Sequence, residues 1–430
     1  MVRARICALL GLFLMLAAST TEARELELSL EGRLGGDSNV FRTQTGGLGD
    51  AEQNSPGDGT FEFAPRIILR ESNRALNYNI SYQPFFDNFF GTDNRTSGVN
   101  GIDHDARAAF DWRGGGADSA GASASYTSNR RLRLNLEQFD ADPDPAAIPS
   151  DGERSDRGRV NTSYRKSLSP AWSSVVGYAF DDFSNSSDAV ADTRSHSGSL
   201  GFDYVFDALT TLGIKGSALR RNSKVTDARQ VAPIDVETDT DSFYLSLSIS
   251  RALTPTFDMS IQLGPSWLVS DQSNSGNSST TTDRDLSLFG SVDATKTWRT
   301  GNASLSYSRS QSGASGSGTS SASIVDRVTF SLRHDLSQEF KVGTVVSFSK
   351  FNQVGNGGIF SEDVEVDSWI AIWTIERRLT ANWIASGRFR YSNRGQTTTR
   401  FLGPQSSVSG KTEIYMGFIA LRYTFNPIVF

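Results

Sequence analysis

Cysteine is nearly absent from this chain: Cys7 is the only one in 430 residues. It lies inside an apolar N-terminal run, and nothing downstream can form a disulfide framework or a cysteine-ligated metal site. Histidine is almost as scarce, with His104, His196 and His334 alone. His104 sits between Asp103 and Asp105, His196 between Ser195 and Ser197, and His334 near a strand end. A histidine beside Asp or Ser can serve acid–base or nucleophilic chemistry only where partners converge. These three are read as solvated polar positions, so no enzyme activity, cofactor or metal is expected. No Asp-x-Asp-x-Asp-Gly spacing marks a built calcium loop. Beyond the N-terminus no stretch reaches 18 consecutive apolar residues, which excludes a bundle of membrane-spanning helices. There is no basic tract, and the net charge is −6, so nucleic acid finds no complementary surface.

The first residues read as a secretory signal. Arg3 and Arg5 supply the positive start, Ile6–Ala18 the apolar stretch, and Thr21-Glu22-Ala23 the small residues of a cleavage site. Ile6–Ala18 is too short to cross a bilayer as a helix, which takes about 20 residues. The expected division is residues 1–23 as signal and 24–430 as one domain.

What the chain has in quantity is a repeated turn phrase. Leu168-Ser-Pro-Ala-Trp172, Leu253-Thr-Pro-Thr-Phe257, Leu336-Ser-Gln-Glu-Phe340 and Leu379-Thr-Ala-Asn-Trp383 share leucine, a hydroxyl residue, two variable residues and an aromatic. Asp207–Thr211 and Trp298–Asn302 fill the intermediate places less faithfully. Between phrases lie pairs of alternating segments. Leu26, Leu28 and Leu30 oppose Glu27, Ser29 and Glu31; Phe243, Leu245, Leu247 and Ile249 oppose Tyr244, Ser246, Ser248 and Ser250. A period of two puts one apolar and one wet face on an extended strand. The overall 37% hydrophobic content and mean hydropathy of −0.34 average the two faces away.

Strand, long polar segment, strand, tight turn: the expected fold is all-β, a transmembrane up-and-down antiparallel β-barrel. Adding Glu71–Arg74 and Gly114–Ala117 gives eight tight turns, hence about 18 strands of roughly 11 residues, with 16 as the alternative count. The long outer segments are expected at Asp37–Gly59, Asp87–Asp103, Asp140–Arg154, Asp271–Asp283 and Gln311–Ser323. Val364–Arg377 leaves its inward face open, because Trp369 and Trp373 oppose Ile370 and Ile372. Trp172, Phe206, Phe257, Trp298, Phe340 and Trp383 gather beside the turns, as a membrane-interface girdle would. A β-propeller also repeats at this interval, but its blades hold four short strands rather than two long ones. The last strand is amphipathic and the final residue is Phe430, resembling the C-terminal assembly signal of bacterial outer-membrane barrels. Pro427 interrupts that strand and shifts Phe430 out of phase with Phe425.

Parity then names the lumen. A charge at the middle of the lipid face costs about 2–4 kcal/mol, so the charged alternates belong inside. The candidate lumen-lining residues are Glu62, Arg66, Arg70, Arg159, Arg165, Asp203, Asp258, Arg327, Arg333, Arg388, Arg390 and Arg422. Such rows can filter solutes by size and charge, or simply pair across neighbouring strands. Tyr244, Phe289 and Phe418 share the inner face and can stack on sugar rings.

After the first strand stands Gly36-Asp37-Ser38-Asn39-Val40-Phe41-Arg42, whose Asp-Ser-Asn-Val-Phe core resembles a segment near the mature start of a family of outer-membrane β-barrel porins associated with exopolysaccharide or exosortase-type loci. The resemblance implies an outer-membrane channel serving polysaccharide secretion. The reading as a whole is a porin-like channel for passive passage of hydrophilic solutes, including export of a secreted polysaccharide. Its alternative is a structural or adhesive barrel with a blocked lumen. Expected partners are outer-membrane lipid and lipopolysaccharide, the barrel assembly machinery and components of polysaccharide secretion. Both termini are expected in the periplasm.

Overall fold

The computed structural model describes residues 24–37, 58–90, 101–114, 118–129, 154–186, 192–227, 234–274, 277–313, 322–354, 362–400 and 406–429. Among them every regular element is a strand. In chain order these are β1 (Glu25–Asp37), β2 (Asp58–Ser72), β3 (Leu76–Phe90), β4 (Gly101–Arg113), β5 (Ser119–Asn129), β6 (Ser155–Ser167), β7 (Trp172–Asn185), β8 (Asp192–Val205) and β9 (Thr210–Asp227). There follow β10 (Ile234–Thr254), β11 (Phe257–Asn274), β12 (Asn277–Trp298), β13 (Gly301–Gly313), β14 (Ala322–Asp335), β15 (Phe340–Val354), β16 (Glu362–Arg378), β17 (Trp383–Arg400), β18 (Ser406–Thr424) and the two-residue β19 (Ile428–Val429). From β1 to β18 each strand pairs antiparallel with its neighbour in sequence, β18 pairs back onto β1 from Ser29↔Thr424 to Asp37↔Met416, and β19 continues β18 along β1. Closure removes both free edges. The barrel therefore has the 18 strands expected, and 16 is excluded. Residues 1–23, expected as a signal, lie outside the described residues, as do 38–57, 91–100, 140–153 and 314–321 of the expected outer segments and 115–117 of the expected turn at Gly114–Ala117.

The repeated phrase builds the turns in a uniform way. Ser169 Oγ accepts the backbone N–H of Ala171 (3.3 Å) and Trp172 (3.1 Å). Ser337 does the same for Glu339 (3.2 Å) and Phe340 (3.1 Å). Thr380 does so for Asn382 (3.2 Å) and Trp383 (3.1 Å). The leucine N–H closes the turn on the aromatic's carbonyl, 2.9 Å in both Leu168–Trp172 and Leu379–Trp383. A side-chain oxygen thus replaces a backbone acceptor where the ladder stops. Asp207 serves the weaker phrase: the N–H of Leu209, 2.7 Å away, and that of Thr210 hold its carboxyl below the usual carboxylate range.

Two expectations change. The polar segment Asp271–Asp283 is mostly strand, since β11 runs to Asn274 and β12 begins at Asn277. Its polarity misled because both faces of those strand ends are hydrophilic, while Thr280–Thr282 suit extended pairing. The eighteen strands of the wall accordingly run from 11 residues in β5 to 22 in β12. At the seam, pairing resumes beyond Pro427 with Leu26↔Ile428 and Glu25↔Val429. Between Thr424 and Ile428 the chain takes one residue more than β1 does, a bulge where proline lacks the ladder N–H. That slip places Ile428 beside Leu26 on the outer face, 54% exposed. The apolar face thus continues past the proline instead of losing phase. Phe430 lies outside the described residues.

Candidate functional site

Sidedness follows from contacts that skip a strand. The Arg33 guanidinium on β1 lies 5.7 Å from the Phe85 ring on β3 and 5.7 Å from the Phe418 ring on β18, while Arg388 on β17 lies 5.5 Å from the same Phe418 ring. Side chains from non-adjacent strands converge only on the concave face, so these residues point inward. Strand alternation and the pairing register carry that assignment around the whole barrel.

The outer face is then an apolar belt of measurable height. On β10, Phe243, Leu245, Leu247 and Ile249 lie between Asp241 and Arg251; on β16, Trp369, Ala371, Trp373 and Ile375 lie between Asp367 and Arg377. The bounding charges are ten residue steps apart in each case. At about 3.3 Å per residue and a tilt near 40°, that is roughly 25 Å along the barrel axis, the height of a lipid-facing belt. Leu247, halfway up, is 65% exposed. The register also settles β16, since Trp369 pairs with Phe348 and Trp373 with Phe389 on the outer face. Ile372 faces inward with 1% exposure.

Both rims of the belt carry aromatics. At the short-turn rim Trp172 packs on Tyr204 with centroids 4.8 Å apart, and Trp383 on Tyr423 at 4.9 Å. Trp298 Nε1 donates to His334 Nδ1 at 3.1 Å. Phe257 and Phe340 begin β11 and β15 on the same outer face, and Phe206 follows β8. The opposite rim was not anticipated. There the Tyr82 hydroxyl meets His104 Nδ1 at 3.0 Å and the Tyr178 hydroxyl meets His196 Nδ1 at 2.9 Å. The Tyr307 hydroxyl donates to Asp326 at 2.8 Å. Just beyond run outward ion pairs: Arg194 with Asp182 at 2.9 Å, Arg309 with Asp326 at 3.6 Å and Lys350 with Glu365. All three histidines therefore sit on the outer face against Tyr or Trp, on strands β4, β8 and β14, and do not converge. Tyrosine recurring six residues up the strand from its start at the turn, as Tyr82 from Leu76, Tyr178 from Trp172 and Tyr307 from Gly301, was the available signal.

Every candidate lumen residue falls on the inner parity. Glu62, Arg66 and Arg70 lie on β2, Arg159 and Arg165 on β6, Asp203 on β8 and Asp258 on β11. Arg327 and Arg333 lie on β14, Arg388 and Arg390 on β17, and Arg422 on β18. From β1 to β8 the inner charges pair within a strand or across to the next one. Arg33 donates to Glu31 and to Glu62, each at 2.6 Å. Arg70 reaches Glu27 at 3.2 Å, and Arg165 reaches Asp203 at 2.7 Å. Arg157 and Arg159 share Asp181, at 2.6 and 2.9 Å. Replacing Glu62 by alanine leaves the enclosed Arg33 with one carboxylate, and should cost about 2 kcal/mol in unfolding equilibrium; an unchanged unfolding midpoint would refute that contribution. Tyr244 and Phe289 meet edge-on at 5.2 Å on the opposite side. Phe418, by contrast, has guanidinium groups against it from both β1 and β17, so it is engaged in the wall.

Eighteen strands about 4.8 Å apart and tilted near 40° close a cylinder roughly 35 Å across, too wide for side chains from facing walls to meet. One level of the wall is different. Leu268, Val325, Phe351, Val366 and Ile414 face inward near the long-connection rim, each at 7% exposure or less. Val325, Phe351 and Val366, side by side on β14, β15 and β16, pack as one apolar cluster on that wall.

No family model matches the sequence, and no curated protein does. Solved structures resemble it at 7–10% identity. The unliganded ferric citrate transporter FecA is 7% identical, with 92% of this chain and 79% of that one aligned and a TM-score of 0.46. The closed form of the ferric-catecholate import receptor Fiu from E. coli K12 is 7% identical over 93% and 81%, at 0.47. The FrpB iron transporter from Neisseria meningitidis (F3-3 variant) is 8% identical over 95% and 82%, at 0.44. With scores this low, the architecture stands on its own strand pairing: a closed, up-and-down antiparallel barrel of 18 strands.

Proposed function

We propose that this barrel spans the outer membrane of a bacterium and passes hydrophilic solutes down their gradients. In this reading the short turns and both described chain ends face the periplasm, and the longer connections face outward. One observation carries it: an apolar belt about 25 Å high encircles a closed barrel whose inner wall is polar and about 35 Å across. The belt removes lipid-exposed polar groups, and closure satisfies nearly all of the strands' backbone within the wall. Lumen side chains then select by size and charge, with no moving part required. Export of a secreted polysaccharide is the finer form of the proposal, supported by the Gly36–Arg42 resemblance and by hydroxyl-rich inner strands such as β10 and β13. Lipopolysaccharide at the outward ion pairs, the barrel assembly machinery and polysaccharide secretion components are the partners that this reading implies.

The purified protein should migrate faster unboiled than boiled, and should give stable large conductance steps in planar bilayers. Silent bilayers with a heat-modifiable protein would favour a second reading, a structural or adhesive barrel. The buried apolar cluster of Val325, Phe351 and Val366 on the inner face supports that reading, since a wall that only lines water has no need of it.

A further inference from the structure

One joint in the wall is incomplete. β12 and β13 pair from Trp298↔Gly301 up to Gly290↔Arg309, and both strands continue past that point. Beyond it β12 still pairs with β11, Phe289 with Gly264 and Leu286 with Trp267. β13 likewise still pairs with β14, Ser310 with Val325 and Gly313 with Ala322. Among the described residues, 286–289 and 310–313 have no ladder partner across the joint. The two strands therefore diverge above Gly290. Cα positions give the direction, since β13 comes within 8 Å of β10 and of β11. A strand three places round the wall from β10 can do that only where it has left the ladder, so the outward end of β13 turns into the lumen. Ser242, Ser266 and Ser270, on the inner face of β10 and β11, are at 0% exposure, in keeping with that approach.

We infer that this joint is a lateral opening between the lumen and the outward leaflet, through which the acyl chain of an amphipathic molecule passes while its polar head stays in the lumen. The inference rests on the membrane-spanning reading and adds a route that passive solute flow does not use. The divergence lies inside the apolar belt: Leu286 and Leu288 are 63% and 69% exposed on the outer face of β12, below its first outward charge, Arg284. Backbone N–H and C=O groups unpaired at that depth are tolerated only where they meet protein or line a water-filled cavity. An opening onto the lumen supplies that water. Lysine and proline, the usual means of blunting an open strand edge, are missing from residues 286–289. The chemistry on either side fits an amphiphile. Outside stand the two leucines. Inside, Phe289 meets Tyr244 edge-on at 5.2 Å, and hydroxyls follow: Ser287 with Ser266 at 2.9 Å, and Ser308 and Ser310 across the joint on β13. A tail crosses between leucine and aromatic side chains, and a hydroxylated head finds serine oxygens.

The test uses the full-length chain with Cys7 replaced by serine, so that introduced thiols are the only ones. A bimane label is placed singly at Ser310→Cys beside the joint, at Ser163→Cys on the inner face of β6, and at Leu288→Cys on the outer face. The vesicles are phosphatidylcholine brominated on its acyl chains. Bromine should quench the labels at Leu288 and Ser310 strongly and the label at Ser163 hardly at all. Quenching at Ser310 no greater than at Ser163, with Leu288 quenched, overturns the inference and leaves the membrane-spanning reading intact. No quenching at Leu288 overturns both. Where a label hinders assembly, unlabelled cysteine pairs decide the joint itself. Val292→Cys/Tyr307→Cys, partners in the ladder, should oxidise to a disulfide. Leu288→Cys/Gln311→Cys, which would be partners if the ladder continued, should stay reduced, because a disulfide needs Cα atoms within about 7 Å. Equal oxidation of the two pairs means a closed wall and overturns the inference.

Discussion

Leu247→Arg should destabilise the barrel by about 2–4 kcal/mol, while Ser248→Arg, one residue along the same strand, should change stability by less than about 1 kcal/mol. Leu247 is at mid-belt and 65% exposed, pairing with Ile214 and Leu263 on the outer face; Ser248 pairs with Gly213 and Gln262 on the inner one. An arginine at mid-belt must strip its hydration or distort the surrounding lipid, because neither Leu245 nor Ile249 offers it a partner. An arginine at Ser248 enters water beside Gln262. Equilibrium unfolding in lipid vesicles measures both. Equal effects would mean that the two faces meet the same medium, which would remove the basis for a membrane-spanning belt.

The second large effect concerns the backbone. Gly264 lies where the β10–β11 ladder is interrupted between Tyr244↔Ser266 and Leu247↔Leu263. A Cβ there would stand 1.8 Å from the carbonyl oxygen of Leu245, with the Cα of Ser246 at 2.8 Å. Those are main-chain atoms of the neighbouring strand and cannot swing aside. Gly264→Val should therefore cost more than about 3 kcal/mol, beyond the usual penalty of overpacking, and the unboiled protein should lose its fast-migrating form. Gly216 is the control. Nothing lies within 4 Å of its Cβ position, and its outer face looks onto Leu200 and Leu245. Gly216→Val should be neutral or stabilising, since a β-branched residue suits an apolar strand face. Comparable losses at both positions would refute the close approach of β10 to β11.

Much of the architecture is legible before any coordinates. The Leu-hydroxyl-x-x-aromatic phrase encodes its own turn, because Ser169, Ser337 and Thr380 reach backbone groups only two and three residues on. Alternation encodes sidedness, because a residue's face in a strand depends on nothing but its parity. Hence all twelve candidate lumen residues fall on the inner face, including those on segments with little other pattern. The outer-rim aromatics were less visible, since Tyr82, Tyr178 and Tyr307 stand mid-strand in sequence and gain meaning only beside His104, His196 and Asp326. β16 could not be read either, because both of its faces are apolar.

By itself, then, the sequence determined the strand number, the turn chemistry and which residues share a face, all consequences of interactions spanning a few residues. Only the tertiary structure decided what depends on partners far along the chain. It placed the bulge that carries the seam past Pro427 and chose the inward face of β16. It also parted β12 from β13 beyond Gly290↔Arg309. The reason is geometric: parity assigns a side, but register and closure set which strands stand next to each other and where their pairing stops.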